Sequence, residues 1–139
     1  MPKNLNVIYC EDSFEMRNFM AEAMKEFCLC SIELFSFSTI EEAIDLLRQS
    51  DKNFIDFIIS DLRIGNNDKD GLKLYHFLEQ RKLRTPFYLY TSSSREDLSD
   101  YLKKENFFYF HKSNDIEKIL KEMQKIYEQQ KAPINLQQN

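Results

Sequence analysis

Apolar positions along this chain fall into two rhythms, and the switches between them outline its elements. Leu5-Asn6-Val7-Ile8-Tyr9-Cys10 is a short run with β-branched and aromatic residues, the pattern of a first strand. Met16, Phe19, Met20, Ala23, Met24 and Phe27 then recur at helical spacing and predict a helix whose Met and Phe stripe is core. Over 32–37, Ile32, Leu34 and Phe37 alternate with Glu33 and Ser36, as in a second strand. Thr39-Ile40-Glu41-Glu42 fits a capping box, in which the hydroxyl and the later Glu satisfy free N–H groups at a helix start. The buried face of that second helix would be Ile40, Ala43, Ile44 and Leu47.

Phe54-Ile55-Asp56-Phe57-Ile58-Ile59-Ser60-Asp61 reads as a buried third strand ending on a carboxylate, followed by a loop over 62–71. Gly71, Leu74, Tyr75 and Leu78 mark a third helix. Pro86 admits a fourth strand, Phe87-Tyr88-Leu89-Tyr90-Thr91, at a place where no ladder donor is lost. Ser92-Ser93-Ser94 would cap a short helix over 95–104 with a thin apolar face of Leu98, Tyr101 and Leu102. A fifth strand at 107–111 ends at Lys112. Asn114-Asp115-Ile116-Glu117 then caps a last helix with the stripe Ile116, Ile119, Leu120, Met123 and Tyr127. Strands alternating with helices imply βαβ units, right-handed crossovers and one α/β domain over 1–128. The polar stretch 129–139, which holds Pro133, reads as a frayed tail.

Composition narrows the function classes. The 139 residues are 42% hydrophobic and 30% charged, the balance of a soluble domain able to bury a core. The net charge of −4, with no basic block, excludes a nucleic-acid footprint. No stretch approaches the ~20 apolar residues of a membrane span, and no apolar signal core precedes Glu11, so the expected location is cytoplasmic. Three cysteines, Cys28-Leu29-Cys30 among them, with two histidines read as apolar thiols rather than a zinc or disulfide site.

The chemistry lies at the strand ends. A parallel sheet forms its ligand crevice at the carboxyl ends of its strands. There stand Glu11 and Asp12 after the first strand, Asp61 after the third, Thr91 after the fourth and Lys112 after the fifth. Carboxylates gathered so closely repel, by about 4 kcal/mol per contact at ~4 Å and an effective dielectric of ~20. An all-oxygen cluster of this kind suits Mg²⁺, with Lys112 as a further compensating charge.

This constellation resembles the receiver domain of two-component response regulators, over nearly the whole chain. The resemblance implies a flavodoxin-like, doubly wound five-stranded parallel sheet with five helices on both faces. It implies that Asp61 is the phosphoacceptor, served by a histidine kinase or phosphotransfer protein. Glu11, Asp12, Asp61 and the backbone carbonyl of Arg63 would hold Mg²⁺, and Thr91 and Lys112 would contact the phosphoryl oxygens. Tyr109, three residues before Lys112, would be the aromatic that turns inward when Thr91 is drawn to the phosphate. The chain would be a single-domain regulator, no turnover enzyme beyond its own phosphorylation. It would signal through a downstream protein or by onward phosphotransfer, and a homodimer through the last strand and helices stays open.

The chain also departs from that family's pattern. The loop after Asp61 lacks the usual Pro, and Gly71 stands ten residues after Asp61 where the family has a Gly at eight. Ser92 replaces a smaller residue after Thr91, and Ser113 follows Lys112 where the family has Pro, commonly in a cis peptide. Because a non-Pro cis bond costs about 2.5–4 kcal/mol, a trans bond and an altered loop path are expected there. These departures keep a second reading open, a degenerate receiver that acts as a phosphorylation-independent binding module. An Asp-nucleophile phosphatase fits less well, since its second acid would fall at Arg63. The EF-hand echo in Asn66-Asn67-Asp68-Lys69-Asp70-Gly71 fails at its twelfth position, Phe77, where calcium needs a Glu.

Overall fold

The computed structural model describes residues 4–27, 31–65, 69–112 and 115–137, with backbone alone for residue 27 and residues 130–137. Five strands form one parallel sheet in the order β2-β1-β3-β4-β5: β1 (Leu5–Cys10), β2 (Ile32–Phe37), β3 (Phe57–Ser60), β4 (Phe87–Thr91) and β5 (Phe107–His111). The helices between and after them are α1 (Phe14–Phe27), α2 (Ile40–Gln49), α3 (Asp70–Gln80), α4 (Ser99–Leu102) and α5 (Ile116–Gln137). Among the described residues no helix is long and apolar enough to cross a membrane.

The period-2 geometry of the strands divides the core between the two faces. Ile8, Cys10, Ile58, Phe87, Leu89 and Phe107 pack with Ile40, Ala43 and Leu47 of α2 and with Leu74, Tyr75 and Leu78 of α3. Leu5, Val7, Tyr9, Phe57, Ile59, Tyr88 and Tyr90 pack with Met20, Ala23 and Met24 of α1 and Ile119, Leu120 and Met123 of α5. Both faces are thus covered, which is why the strands read as nearly continuous apolar runs. Aromatic rings pack against one another in this core: Phe57 stacks on Tyr88 at 4.1 Å, and Tyr88 on Phe110 at 5.2 Å.

Several sequence expectations are corrected. The third strand begins at Phe57, not Phe54, because the Asp56 carboxylate takes the Asn6 N–H at 2.8 Å and Asn6 Nδ2 donates to the Phe54 carbonyl. A side-chain acceptor thus takes one ladder donor, while the Asp56 N–H still donates to the Asn6 carbonyl at 2.8 Å. The helix over 95–104 is broken into a 3₁₀ turn (Glu96–Leu98), with Ser94 Oγ accepting from the Glu96 N–H, and the single α turn of α4. Only Leu98 of its apolar face is fully buried, too little anchorage for a longer helix. Phe19 is 51% exposed and rims a groove with Ala23, Ile116 and Leu120 instead of entering the core. Asp115 accepts from the His111 N–H at 2.7 Å, while Asn114, the first residue of the expected cap of α5, lies outside the described residues. The backbone of α5 runs on to Gln137, through much of the stretch read as a frayed tail. The Thr39 cap is as expected, with the Glu42 N–H donating to Thr39 Oγ1 at 3.3 Å, but the Glu42 carboxylate accepts from the Thr39 hydroxyl at 2.9 Å in place of a backbone N–H. Cys28, Cys30, residues 66–68 and the Lys112-Ser113 bond's Ser113 lie outside the described residues.

One backbone feature is strained. Lys82 has φ 56°, and it closes α3 with the Lys82 N–H on the Glu79 carbonyl and the Leu83 N–H on the Leu78 carbonyl. This paired pattern is a Schellman motif whose left-handed position favours glycine. Lys82→Gly should therefore raise stability by about 0.5–1 kcal/mol, the relief of strain exceeding glycine's entropy cost. Urea unfolding should show a higher midpoint at unchanged slope.

Candidate functional site

Three of the candidate side chains are placed by sheet pairing that runs one residue beyond a strand. The Glu11 N–H donates to the Phe37 carbonyl, the Asp61 N–H to the Cys10 carbonyl and the Lys112 N–H to the Thr91 carbonyl, all at 3.0 Å. These three bonds set Glu11, Asp61, Thr91 and Lys112 side by side at the carboxyl end of the sheet. The strand order reverses between β1 and β3, so the crevice opens where the acids stand.

Lys112 is the centre of the site. Its Nζ lies 2.5 Å from Glu11 Oε1 and 2.6 Å from Asp61 Oδ2. Glu11 is 1% exposed and Asp61 8% exposed, so both ion pairs are screened little by water. Burial pushes the Glu11 carboxyl above its ordinary range, against the opposing pull of the Lys112 hydrogen bond. Desolvation would lower the Lys112 ammonium, but its hydrogen bonds to Asp61 and Glu11 outweigh it and hold the pKa above that of an ordinary lysine. The remaining oxygens are met by backbone: Ser13 N–H donates to Glu11 Oε2 at 3.1 Å and Leu62 N–H to Asp61 Oδ1 at 2.7 Å.

Asp12 stands apart from this bridge. Its exposed carboxylate accepts from the Gly65 N–H at 3.0 Å, and although desolvation works the other way, that bond holds its pKa below the usual value. Among the described residues no three acidic, His or Cys side chains converge as a metal-binding group. The chemistry of the donor set nevertheless suits a hard divalent cation. Carboxylates outnumber the Lys112 ammonium three to one, and Arg17 Nη1 is committed to the Glu11 backbone carbonyl at 2.6 Å.

Thr91 and Tyr109 are joined through one residue. Thr91 Oγ1 accepts from the Ser93 N–H at 3.2 Å, while the Tyr109 hydroxyl donates to the Ser93 carbonyl at 2.5 Å. Tyr109 packs at the margin of the α2–α3 face of the core, so a shift of Thr91 has a short covalent and hydrogen-bonded route to it. Arg63 is exposed, between Leu62 and Ile64, which are buried and pin the loop after Asp61 to the core.

Sequence reasoning named the five strand-end residues but missed three supports. Arg17, the Gly65 N–H and the tight approach of Gly71 carry no pattern that sets them apart along the chain. Gly71 comes closest to being legible, as a glycine at a helix start. A Cβ there would collide with the Asp61 carbonyl oxygen, and the Gly71 N–H donates to the Leu62 carbonyl at 2.9 Å. Gly71→Ala should cost about 1–3 kcal/mol by overpacking against backbone. Chemical denaturation of the variant measures this directly.

Comparison with known proteins agrees with the geometry. The sequence model of the response regulator receiver domain matches residues 7–124. A comparison with curated proteins gives no match. Among solved structures, the receiver domain of the Francisella response regulator 1452 aligns with TM-score 0.73 at 20% identity, covering 91% of this chain and 98% of that one. The chemotaxis response regulator CheY4 of Vibrio cholerae aligns with TM-score 0.70 at 18% identity, covering 89% and 99%. A CheY-like receiver domain protein from Methanospirillum hungatei JF-1 gives TM-score 0.73 at 11% identity, covering 94% and 99%. Identities this low speak to the fold, a five-stranded parallel flavodoxin-like sheet, and the matched sequence model speaks to descent. The chain belongs to the response regulator receiver domain family of two-component signalling.

Proposed function

We propose that the chain accepts a phosphoryl group on the Asp61 carboxylate from the phosphohistidine of a histidine kinase or phosphotransfer protein. The P–N bond of the donor breaks as a P–O bond to Asp61 forms, and the histidine is released. Glu11, Asp12, Asp61 and the backbone carbonyl of Arg63 would hold Mg²⁺, which supplies charge neutralisation when bound. The observation that carries this reading is the Lys112 ammonium between Glu11 and Asp61, at 2.5 and 2.6 Å. It gives a mobile cation, already in contact with the acceptor, that can follow the incoming phosphoryl oxygens. Phosphoryl transfer depends mainly on positioning and charge neutralisation, and the site has groups for both.

Thr91 would exchange its bond from the Ser93 N–H for a phosphoryl oxygen, with its hydroxyl as donor. The Ser93–Tyr109 link carries that movement toward β5 and α4, where the short α turn is the least anchored element. The changed surface would then meet a downstream protein, or the phosphoryl group would pass on to a second histidine. One observation favours the alternative, a phosphorylation-independent binding module: Lys112 already bridges Glu11 and Asp61, so the strand ends are tied together by side chains of the chain itself.

Intact mass after incubation with a small-molecule phosphodonor separates the two. Wild type with Mg²⁺ should gain one phosphoryl group, and omission of Mg²⁺ or the Asp61→Asn substitution should abolish the gain. A folded wild type that stays unlabelled, beside a labelled control receiver, would support the binding module instead.

A further inference from the structure

Tyr9 takes no part in the chemistry described above. It lies near the end of β1, is fully buried, and packs on the α1–α5 face with Met20 and Tyr90. Its hydroxyl is buried with no hydrogen-bond partner among the described residues. A phenylalanine would fill nearly the same volume without stranding a polar atom, so packing alone does not account for the hydroxyl.

What surrounds that hydroxyl is the underside of the acidic site. Residues two apart along a strand share a face, and the pairing of β1 continues through the Glu11 N–H, so Tyr9 and Glu11 lie on the same side of the sheet. Burial first, then the charges of Glu11, Tyr90 and Asp61, push the Tyr9 phenol well above its ordinary pKa, with Arg17 pulling the other way. The hydroxyl is thus an unused donor on the same side of the sheet as the Glu11 carboxylate. Tyr90, on the same face, directs its hydroxyl to the Lys112 carbonyl at 3.4 Å. Two buried hydroxyls thus underlie the Glu11–Lys112–Asp61 bridge, one engaged and one unpaired.

We propose that Tyr9 is a positioning residue of the phosphoryl site, whose hydroxyl donates to the Glu11 carboxylate when Lys112 turns from Glu11 to the phosphoryl oxygens. The inference rests on phosphorylation of Asp61. Glu11 is almost wholly buried, and its Oε1 holds Lys112 as partner. Mg²⁺ held by Glu11 would offset its charge, and the hydrogen-bonding position that the ammonium vacates on Oε1 is then open to another donor. Tyr9 is stranded before that movement and paired after it. Its hydroxyl therefore penalises the resting state and favours the phosphorylated one, the differential interaction that a conformational bias requires.

The test uses the full chain with beryllium fluoride, a phosphoryl mimic, and Mg²⁺. Binding is followed by ¹⁹F NMR, since the sequence contains no Trp to report it by fluorescence. Tyr9→Phe should keep or raise the melting temperature of the free protein, because an orphan hydroxyl is removed. Its affinity for the mimic should fall roughly tenfold, the loss of one hydrogen bond to a charged group. Unchanged affinity would overturn the proposal, as would a fall that comes with a lower melting temperature, which would assign Tyr9 to packing. Wild type that binds no mimic would overturn the inference together with the phosphoacceptor reading, and that outcome is distinguishable because it does not depend on the variant.

Discussion

The site depends on one ammonium shared by two buried carboxylates. Lys112 enters from the last strand and reaches both the first-strand acid Glu11 and the third-strand acid Asp61. Its removal would leave two buried, uncompensated charges, and breaking such pairs typically costs about 3–5 kcal/mol. The bridge also fixes the relative position of three strand ends. It is screened little by water, because both carboxylates are buried.

The rest of the fold makes that bridge possible. A parallel sheet covered on both faces excludes water from below the site, and pairing one residue past the strands brings Glu11, Asp61 and Lys112 into line. Gly71 lets the start of α3 press on the Asp61 carbonyl, and buried Leu62 and Ile64 fasten the loop between them. On the far side, Ser93 ties Thr91 to Tyr109 beside the weakly anchored α4. The stable and the adjustable parts therefore meet at the strand ends, where a charge change has most leverage.

The sequence was most legible where period and burial agree. β1 and β4 fall where their apolar runs stand, since a strand buried on both faces admits few polar residues, and the edge strands β2 and β5 also fall where their patterns predict. Reading failed where a local polar bond or a tertiary neighbour decided the outcome. Asp56 drew the Asn6 N–H and shortened β3, and Phe19, though on the helical stripe, met a groove beside α5 instead of the core. Strand-end residues could be named because topology alone brings them together. Their present partners could not: that Asp12 would accept from Gly65, or Arg17 donate to the Glu11 carbonyl, follows from loop paths that no spacing encodes.

If the excess of carboxylate over ammonium governs this site, a divalent cation must stabilise the fold by binding the native state alone. The direct measurement is the melting temperature across a Mg²⁺ titration, for wild type and Asp61→Asn at constant ionic strength. The account predicts a saturable rise in wild type and a clearly smaller rise once Asp61 loses its charge. A melting temperature indifferent to Mg²⁺, or equal rises in the two proteins, would contradict it.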